Sequence, residues 1–355
     1  MDILIDIPLV GTGPVIGIGV IAVIFLVLAI VVWRGHRVLR WLFVLLFLFF
    51  GLGAAADAVN TKFAYYDTVA DLLGIPTYPV AEGSPQDLAG QDQPNGAAIS
   101  ISVPDAQSHF GKFDAQVWLP PQYFSNPRDH FPVMILAHGN PGDNGAWLHA
   151  SDAATTGLKV AQSGKPVILV MPQVLQNSAT GDSLCVDTQS QGNAETYITK
   201  DVVAAVDSQL RSLTDAKHRG IGGLSMGGFC ALNLGLKHPD VFSVVLDFSG
   251  ETKPKPDTLP GGLQELFGSN WQQQADANDP TKYVSTLNGK NGPAVWMDVG
   301  TGDTQILADM KAFLPQLQAR GFTAELHTRP GAHDFATWGY GLADALPWAA
   351  ARFYS

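Results

Sequence analysis

A serine lies at the centre of the pentapeptide Gly223-Leu224-Ser225-Met226-Gly227. The pattern G-x-S-x-G is typical of a sharp turn between a strand and a helix, which exposes the serine hydroxyl for nucleophilic attack. Small residues are needed on both sides because the strand and the helix come into close contact there. A short apolar run precedes this serine, and a helical pattern follows it as far as His238. The sequence therefore predicts Ser225 as a nucleophile.

A serine hydroxyl needs a general base within hydrogen-bonding distance, and His333 is the candidate. It lies in the segment Pro330-Gly331-Ala332-His333-Asp334, which forms a turn after the last predicted strand. Three other histidines are less suitable. His327 lies within that strand, His238 ends the helix after the serine, and His218 precedes the strand that leads to the serine. We expect His333 to be the base.

The acid of such a triad orients the imidazole and stabilises its charged form, and it lies between the serine and the histidine in the chain. Asp303 follows the predicted strand 294–299 at its carboxyl end, where a triad acid is placed. Asp298 is the alternative, but it lies inside that strand. Asp309 belongs to the following helix, and Asp334 adjoins the base but points away from it. We favour Asp303.

Two backbone N–H groups are needed to bind the developing oxyanion. Met226 follows the serine at the start of a helix, where the helix dipole favours negative charge. The loop His138-Gly139-Asn140-Pro141-Gly142 follows the predicted strand Val133–Ala137 and can supply the second donor. Because Pro141 has no N–H, we expect Met226 and Asn140 to form the oxyanion hole.

The elements around these residues alternate between strands and helices. The predicted strands are 99–103, 113–119, 133–137, 167–171, 220–224, 244–248, 294–299 and 324–328. The predicted helices are 150–163, 195–213, 225–237, 305–320 and 335–354. This alternation predicts an α/β fold with a doubly wound, mostly parallel sheet over residues 97–355. Residues 251–292 are expected to form an insertion over the active site, and residues 60–96 a linker.

Two apolar runs, residues 15–33 and 41–56, are each long enough to cross most or all of a hydrocarbon core of roughly 30 Å. Arg34, Arg37 and Arg40 lie between them and place that loop on the cytoplasmic side. The sequence thus predicts a two-helix transmembrane hairpin over residues 1–59, with residues 15–56 in contact with the lipid bilayer. Everything after it would be extracytoplasmic, on a protein of the cell membrane.

Two other interpretations of the apolar runs are weaker. A signal peptide would need a basic segment before the first run and no second run after it. A buried hairpin of a water-soluble protein would not be apolar on all faces.

The chain contains two cysteines, Cys185 and Cys230. The predicted compartment is oxidising, and two free thiols there would be a liability, so we favour a disulfide between them over two unpaired, buried cysteines. Cys230 follows the serine by five residues, and Cys185 lies in the irregular loop 177–193. The bond would hold that loop beside the active site.

The net charge of the 355-residue chain is −11, and its lysines and arginines are scattered along the sequence. We therefore expect no nucleic-acid partner. The histidine, cysteine and aspartate spacings match no common zinc motif, and no phosphate-binding loop is present, so the sequence predicts neither a metal nor a cofactor.

Several of these segments together resemble the esterase D / putative esterase family of α/β-hydrolases, which includes feruloyl esterases, S-formylglutathione hydrolase and the mycolyltransferases. The matching segments are 117–123, 132–147, 223–228, 278–281, 300–303 and 330–334 with Trp338. The resemblance covers about residues 97–355. It implies an α/β-hydrolase fold, a triad of Ser225, Asp303 and His333, and an oxyanion hole of Met226 and Asn140. It also fits a membrane-anchored actinobacterial type.

The leading hypothesis is an extracytoplasmic serine esterase that acts on a small-molecule, lipid or glycolipid ester through an acyl-enzyme. An acyltransferase that passes the acyl group to a sugar or lipid hydroxyl is the alternative. The predicted acid is an aspartate, as in the hydrolases, whereas the mycolyltransferases usually have a glutamate. A non-catalytic, envelope-binding protein of the same fold would generally have lost triad residues, and all three are present here.

Overall fold

The computed structural model describes residues 7–66, 68–177 and 181–355. The first six residues of the predicted hairpin and three residues of the loop 177–193 lie outside this range. Contacts within the chain divide it between Thr77 and Tyr78 into two compact units. This division falls inside the stretch predicted as a linker, and the functional domain boundaries remain a prediction.

The N-terminal unit contains two long helices, α1 (Thr12–Val31) and α2 (Arg37–Phe63), and the short helix α3 (Val69–Leu72). The two long helices have mean hydropathies of 3.1 and 2.3, and by length and composition each could cross a bilayer. They pack against each other, with the Phe25 ring stacked on the Phe50 ring at 5.5 Å. Most of their large apolar side chains are exposed in the chain by itself.

The second unit is built around an eight-stranded sheet in the order β1-β2-β4-β3-β7-β8-β9-β10. Its strands are β1 (Ala97–Val103), β2 (Phe113–Leu119), β3 (Val133–Ala137), β4 (Ile168–Met171), β7 (Arg219–Leu224), β8 (Val244–Phe248), β9 (Ala294–Gly300) and β10 (Ala324–Arg329). Two further short strands, β5 (Asp187–Thr188) and β6 (Gly192–Asn193), form a separate hairpin. Strands β1 and β2 pair antiparallel at one edge, β2 is antiparallel to β4, and the six strands from β4 to β10 in the sheet order are parallel.

The central strands are buried on both faces, as their continuous apolar runs predict. Ile135 of β3 lies opposite Val170 on one side and Ile221 on the other, and all three side chains are fully buried. The mixed, mostly parallel sheet confirms the α/β-hydrolase fold.

Helices connect the strands and cover the sheet. They are α4 (Pro121–Ser125), α5 (Ala146–Ala150), α6 (Ala153–Gln162), α7 (residues 194–209), α8 (Met226–Lys237), α9 (Gly262–Phe267), α10 (Trp271–Ala277), α11 (Pro280–Tyr283), α12 (Thr304–Ala319) and α13 (Phe335–Phe353). The helix predicted over 150–163 begins at Ala153 instead, because Asp152 has a left-handed backbone with φ of 50° and separates it from α5. Helix α7 includes a π-helical segment, Tyr197–Val202.

Helix α7 ends at Gln209, four residues before the predicted end. The backbone of residues 210–213 becomes extended and bonds with Phe131 instead. Phe131 donates its N–H to Arg211 and accepts the N–H of Leu213, at 2.9 Å each. This pairing with a distant segment overrides the local helical pattern.

The segment 251–292 contains the three short helices α9, α10 and α11, although its sequence shows little periodicity. It packs on helix α8, where the Tyr283 hydroxyl donates to Asn233 at 2.8 Å. Residues 78–96 also belong to the second unit. Ala98 of β1 donates its N–H to Pro79 and accepts that of Ala81, and Leu88 is fully buried.

Candidate active site

Ser225 lies between β7 and α8 with φ of 54° and ψ of −122°, a conformation that costs energy for any residue with a Cβ. Close backbone contacts hold it there. A side chain on Gly223 would collide with the Gly227 backbone, and one on Gly227 would collide with the Ala137 carbonyl. The Ser225 N–H donates to the Phe248 carbonyl at 2.8 Å. The strained turn leaves the hydroxyl at the carboxyl end of the sheet.

The structure brings the three predicted triad residues together. His333 Nε2 lies 2.8 Å from Ser225 Oγ, and His333 Nδ1 lies 2.6 Å from Asp303 Oδ2. Because the carboxylate can only accept, Nδ1–H donates to it, which leaves Nε2 to accept the serine hydroxyl. The Asp303 side chain is 12% exposed and that of His333 is 37% exposed. The arrangement suits proton removal from Ser225, which is 9% exposed, by a half-buried histidine.

Backbone hydrogen bonds hold the turns of the acid and the base against each other. Gly302 donates its N–H to the Gly331 carbonyl at 2.8 Å. Thr301 donates to the last residue of β10, Arg329, also at 2.8 Å. Trp338 contacts the His333 ring edge to face, with the ring centres 4.9 Å apart. The parallel pairing of β9 and β10 thus sets the separation of Asp303 and His333.

The other candidate acids are engaged elsewhere. Asp298 is buried and receives two hydrogen bonds from Arg329, at 2.8 and 2.5 Å. Asp334 caps helix α13 by accepting the Thr337 N–H at 2.8 Å. Asp309 is half-buried on helix α12 and accepts a hydrogen bond from the Gln305 side chain at 3.2 Å.

The other histidines also have separate partners. The His327 ring stacks on Trp296 at 3.5 Å. His238 lies 2.8 Å from Glu195, and His218 lies 2.8 Å from Asp215.

The two predicted oxyanion donors flank the serine. Met226 is the first residue of α8, where helical N–H groups have no partner within the helix. The loop that carries Asn140 approaches from β3, and a Cβ built on Gly139 would lie 3.3 Å from that of Ser225. The Asn140 side-chain amide donates to Thr258 Oγ1 at 3.2 Å.

His138 shapes this loop, a role that the sequence did not reveal. It is 1% exposed, and its Nε2 accepts the Val174 N–H at 3.1 Å. Nδ1 therefore carries the hydrogen and donates to the Gly139 carbonyl at 2.7 Å. Burial lowers the pKa of His138, which favours this neutral form. Its position directly before the glycine was the only signal in the sequence.

The structure contains a disulfide between Cys185 and Cys230, as predicted, with the two Cα atoms 5.3 Å apart. Both residues are fully buried. The bond fastens the loop before β5 to the helix that begins at the nucleophile.

Two acidic residues beside the elbow were not identified from the sequence. Burial raises the pKa of Asp247 to about 8, although the Gly250 N–H donates to it at 2.8 Å and opposes the rise. Burial also raises the pKa of Glu251, and the nearby ammonium of Lys255 partly opposes that rise. Asp247 lies on β8 beside Gly228 of the elbow, and Glu251 follows shortly after that strand.

Within residues 7–66, 68–177 and 181–355, no group of three or more His, Cys, Asp or Glu side chains could hold a metal ion. The expectation that the protein needs no cofactor stays a prediction. The chemistry described above uses only the side chains and backbone of this chain.

Several known proteins have sequences similar to this chain. An uncharacterized protein of Corynebacterium glutamicum is 27% identical over 317 residues, which cover 84% of this chain and 73% of that protein. An esterase of Mycobacterium tuberculosis is 26% identical over 246 residues, which cover 62% of this chain and 52% of the relative. The chain therefore spans about half the length of that esterase.

A solved structure of a ferulic acid esterase has the same fold, with a TM-score of 0.63 and 23% identity over 73% of this chain and 98% of that one. The model of the family described as Putative esterase matches residues 107–349, which include the elbow, the acid turn and the histidine turn. Since this match covers more than half of the sequence, the chain belongs to the esterase family of α/β-hydrolases.

Proposed function

We propose that the protein is a membrane-anchored serine esterase that hydrolyses carboxylic esters outside the cytoplasm. Ser225 is the nucleophile, His333 the general base and Asp303 the acid that orients it. The observation that carries the proposal is the pair of hydrogen bonds at His333, in which Nε2 accepts from Ser225 at 2.8 Å and Nδ1 donates to Asp303 at 2.6 Å.

In the acylation step, Ser225 Oγ attacks the ester carbonyl carbon while its proton passes to His333 Nε2. The carbonyl oxygen becomes an oxyanion, which accepts hydrogen bonds from the N–H groups of Met226 and Asn140. Asp303 stabilises the imidazolium. His333 then donates the proton to the leaving alkoxide oxygen, and the C–O bond breaks to give an acyl-enzyme and an alcohol.

In the deacylation step, His333 removes a proton from water, whose oxygen attacks the acyl carbon. A second oxyanion forms and collapses. The proton returns to Ser225 Oγ, the acid product leaves, and the enzyme is restored. An alcohol in place of the water would make the same step an acyl transfer.

The proposed location of the catalytic domain outside the cytoplasm is inferred from the N-terminal unit. Helices α1 and α2 are apolar enough to enter a bilayer, and three arginines lie at the connection between them. Positive residues remain on the cytoplasmic side, so both outer ends of the hairpin would face outward. The disulfide is consistent with an oxidising compartment. Protease treatment of intact cells should cleave the domain after Asn60, and complete protection would contradict the orientation.

The activity is tested with the purified full chain, a fluorophosphonate probe and p-nitrophenyl esters of increasing acyl length. We expect labelling and turnover in the unchanged protein and neither in Ser225→Ala. Ser285→Ala is the matched control, because Ser285 is an exposed serine of the insertion. Absence of labelling in the unchanged protein would rule out the serine mechanism. Product release that depends on an added sugar or lipid alcohol would reassign the protein as an acyltransferase.

A further inference from the structure

Three segments that are distant in sequence meet at the side chain of Thr258. Thr258 Oγ1 accepts the Asn140 side-chain amide at 3.2 Å, across 118 positions of the chain. The same hydroxyl lies 3.2 Å from the Gly181 carbonyl and 3.3 Å from Asp182 Oδ2, both of which can accept its hydrogen. Thr258 therefore connects the loop of the proposed oxyanion donor with a second loop at residues 181–182.

The Asp182 carboxylate fixes the position of Thr258. Its Oδ2 accepts the N–H of Asp257 at 2.6 Å and that of Thr258 at 2.9 Å. Asp182 itself is 1% exposed. Charge-assisted hydrogen bonds to a buried carboxylate are stronger than neutral ones, so residues 257–258 are held firmly.

The loop with Asp182 is in turn fixed to the nucleophile helix. Cys185 is three residues further along and is bonded to Cys230 on α8. Ser183 Oγ donates to the Val174 carbonyl at 2.7 Å and accepts the Cys185 N–H at 3.1 Å. A continuous path of covalent and hydrogen bonds thus leads from α8 to the side chain of Asn140.

In the loop of Asn140, His138 fixes the Gly139 carbonyl, and the bond to Thr258 fixes the side chain of Asn140 itself. Glycines lie on both sides of the Asn140–Pro141 pair, at Gly139 and Gly142. Glycine has the widest conformational freedom of any residue. An oxyanion donor must nevertheless be fixed in advance, since a misplacement of about 1 Å can cost about 100-fold in rate.

We propose that Thr258 and Asp182 are positioning residues for the oxyanion hole. They hold the side chain of Asn140 so that its backbone N–H points at the carbonyl oxygen of the substrate. This inference rests on the proposed serine esterase function. The insertion that carries Thr258 would then take a direct part in setting the rate of the reaction.

The test is a double-mutant cycle with Thr258→Val and Asn140→Ala, measured on the full chain. Thr258→Val keeps the shape of the side chain and removes its hydroxyl, whereas Asn140→Ala keeps the backbone donor and removes its anchor. We expect each to lower kcat about 10-fold with little change in KM, because the hydrogen bond acts on the transition state. The double variant should also lose about 10-fold rather than about 100-fold, since both changes break one link.

Two further measurements separate positioning from a general loss of structure. Affinity for a trifluoromethyl ketone, whose tetrahedral adduct carries the oxyanion, should fall by the same factor as kcat. Thr258→Ser should restore the rate to within about two-fold of the unchanged protein, because the hydroxyl is kept. Thr286→Val, an exposed threonine of the same insertion, is the control and should leave kcat unchanged.

Unchanged kcat in Thr258→Val, losses that multiply in the double variant, or a loss that Thr258→Ser does not restore would each overturn the inference. If Thr258→Val does not fold, Asn140→Ala and the ketone affinity decide the question alone. Ser225→Ala in the same series distinguishes a failure of the proposed function from a failure of the positioning role. Turnover that survives in Ser225→Ala would refute the proposed function, whereas an inactive Ser225→Ala with a fully active Thr258→Val would refute only the positioning role.

Discussion

The two sides of Ser225 are built in different ways. On one side, Asp303 and His333 follow the neighbouring parallel strands β9 and β10, and backbone hydrogen bonds connect their turns. On the other side, side chains hold the loop of Asn140, namely His138 within the loop and Thr258 from a distant segment. The first side is a consequence of the sheet itself. The second exists only where a long loop and an insertion have folded onto the site.

This difference predicts how each side responds to mutation. A residue at a strand end keeps its place as long as the sheet forms, so changing its chemistry affects catalysis far more than structure. A residue held by loop contacts can move when any partner along the path is lost. We therefore expect large, local effects on the triad side and smaller, connected effects on the loop side.

The largest expected effect is on the triad side, at Asp303. Asp303→Asn removes the charge that stabilises the imidazolium and favours the wrong tautomer of His333, so kcat should fall by about 10⁴-fold. The melting temperature should change little. Asp309→Asn is the control, since this half-buried carboxylate lies on the next helix and accepts from Gln305, and it should keep full activity. An active Asp303→Asn would show that another acid serves the histidine.

The second-largest expected effect is a loss of stability when the ion pair of Arg329 and Asp298, which supports the triad, is broken. The Asp298 side chain is 2% exposed, so Arg329→Met leaves an unpaired charge in the interior and should lower the free energy of unfolding by about 3–5 kcal/mol. Urea unfolding measures it, with the exposed Arg128→Met as control. The double variant Asp298→Asn/Arg329→Met should recover part of the loss. A loss that does not recover would mean that the cost lies in packing rather than in charge.

On the loop side, the disulfide should contribute less to the free energy of unfolding than the ion pair does. It closes a loop with a sequence separation of 45 residues, so the Cys185→Ser/Cys230→Ser variant should lose about 2–4 kcal/mol of unfolding free energy. We also expect reduced kcat, because the path to Asn140 passes through this bond. Reductant should reproduce both effects in the unchanged protein and have none on the variant. Equal kcat in the two proteins would show that the loop holds its place without the bond.

The smallest effect is a pH dependence from Asp247, which lies beneath both sides. Its pKa is about 8 in the folded protein, above the ordinary value of 3.8, because the carboxyl is buried. The folded state therefore binds the extra proton between these values, so stability should fall as the pH rises from about 4 to about 8, by about 1.4 kcal/mol per unit, and should level off above pH 8. Asp247→Asn should flatten this slope in urea unfolding between pH 5 and 8. A slope unchanged by the substitution would assign the effect to another group.

The triad could be located from the sequence because each member follows a recognisable strand. Parallel strands present their carboxyl ends at one edge, so its position just after a strand favoured Asp303 over Asp298, which lies inside that strand. Apolar runs also located all eight strands of the main sheet. Helix α7 shows where such reasoning fails, because residues 210–213 leave the helix to pair with Phe131, and no local pattern records that partner.

By itself, the sequence determined the α/β fold, the two apolar N-terminal helices, the candidate triad and the pair of cysteines. These features depend on composition, periodicity and the covalent order of short motifs. Only the tertiary structure revealed the neutral His138, the raised pKa of Asp247 and the junction of Asn140, Thr258 and Asp182. Each of these depends on burial or on a hydrogen bond between residues far apart in the chain, and such contacts exist only after the loops have closed over the sheet.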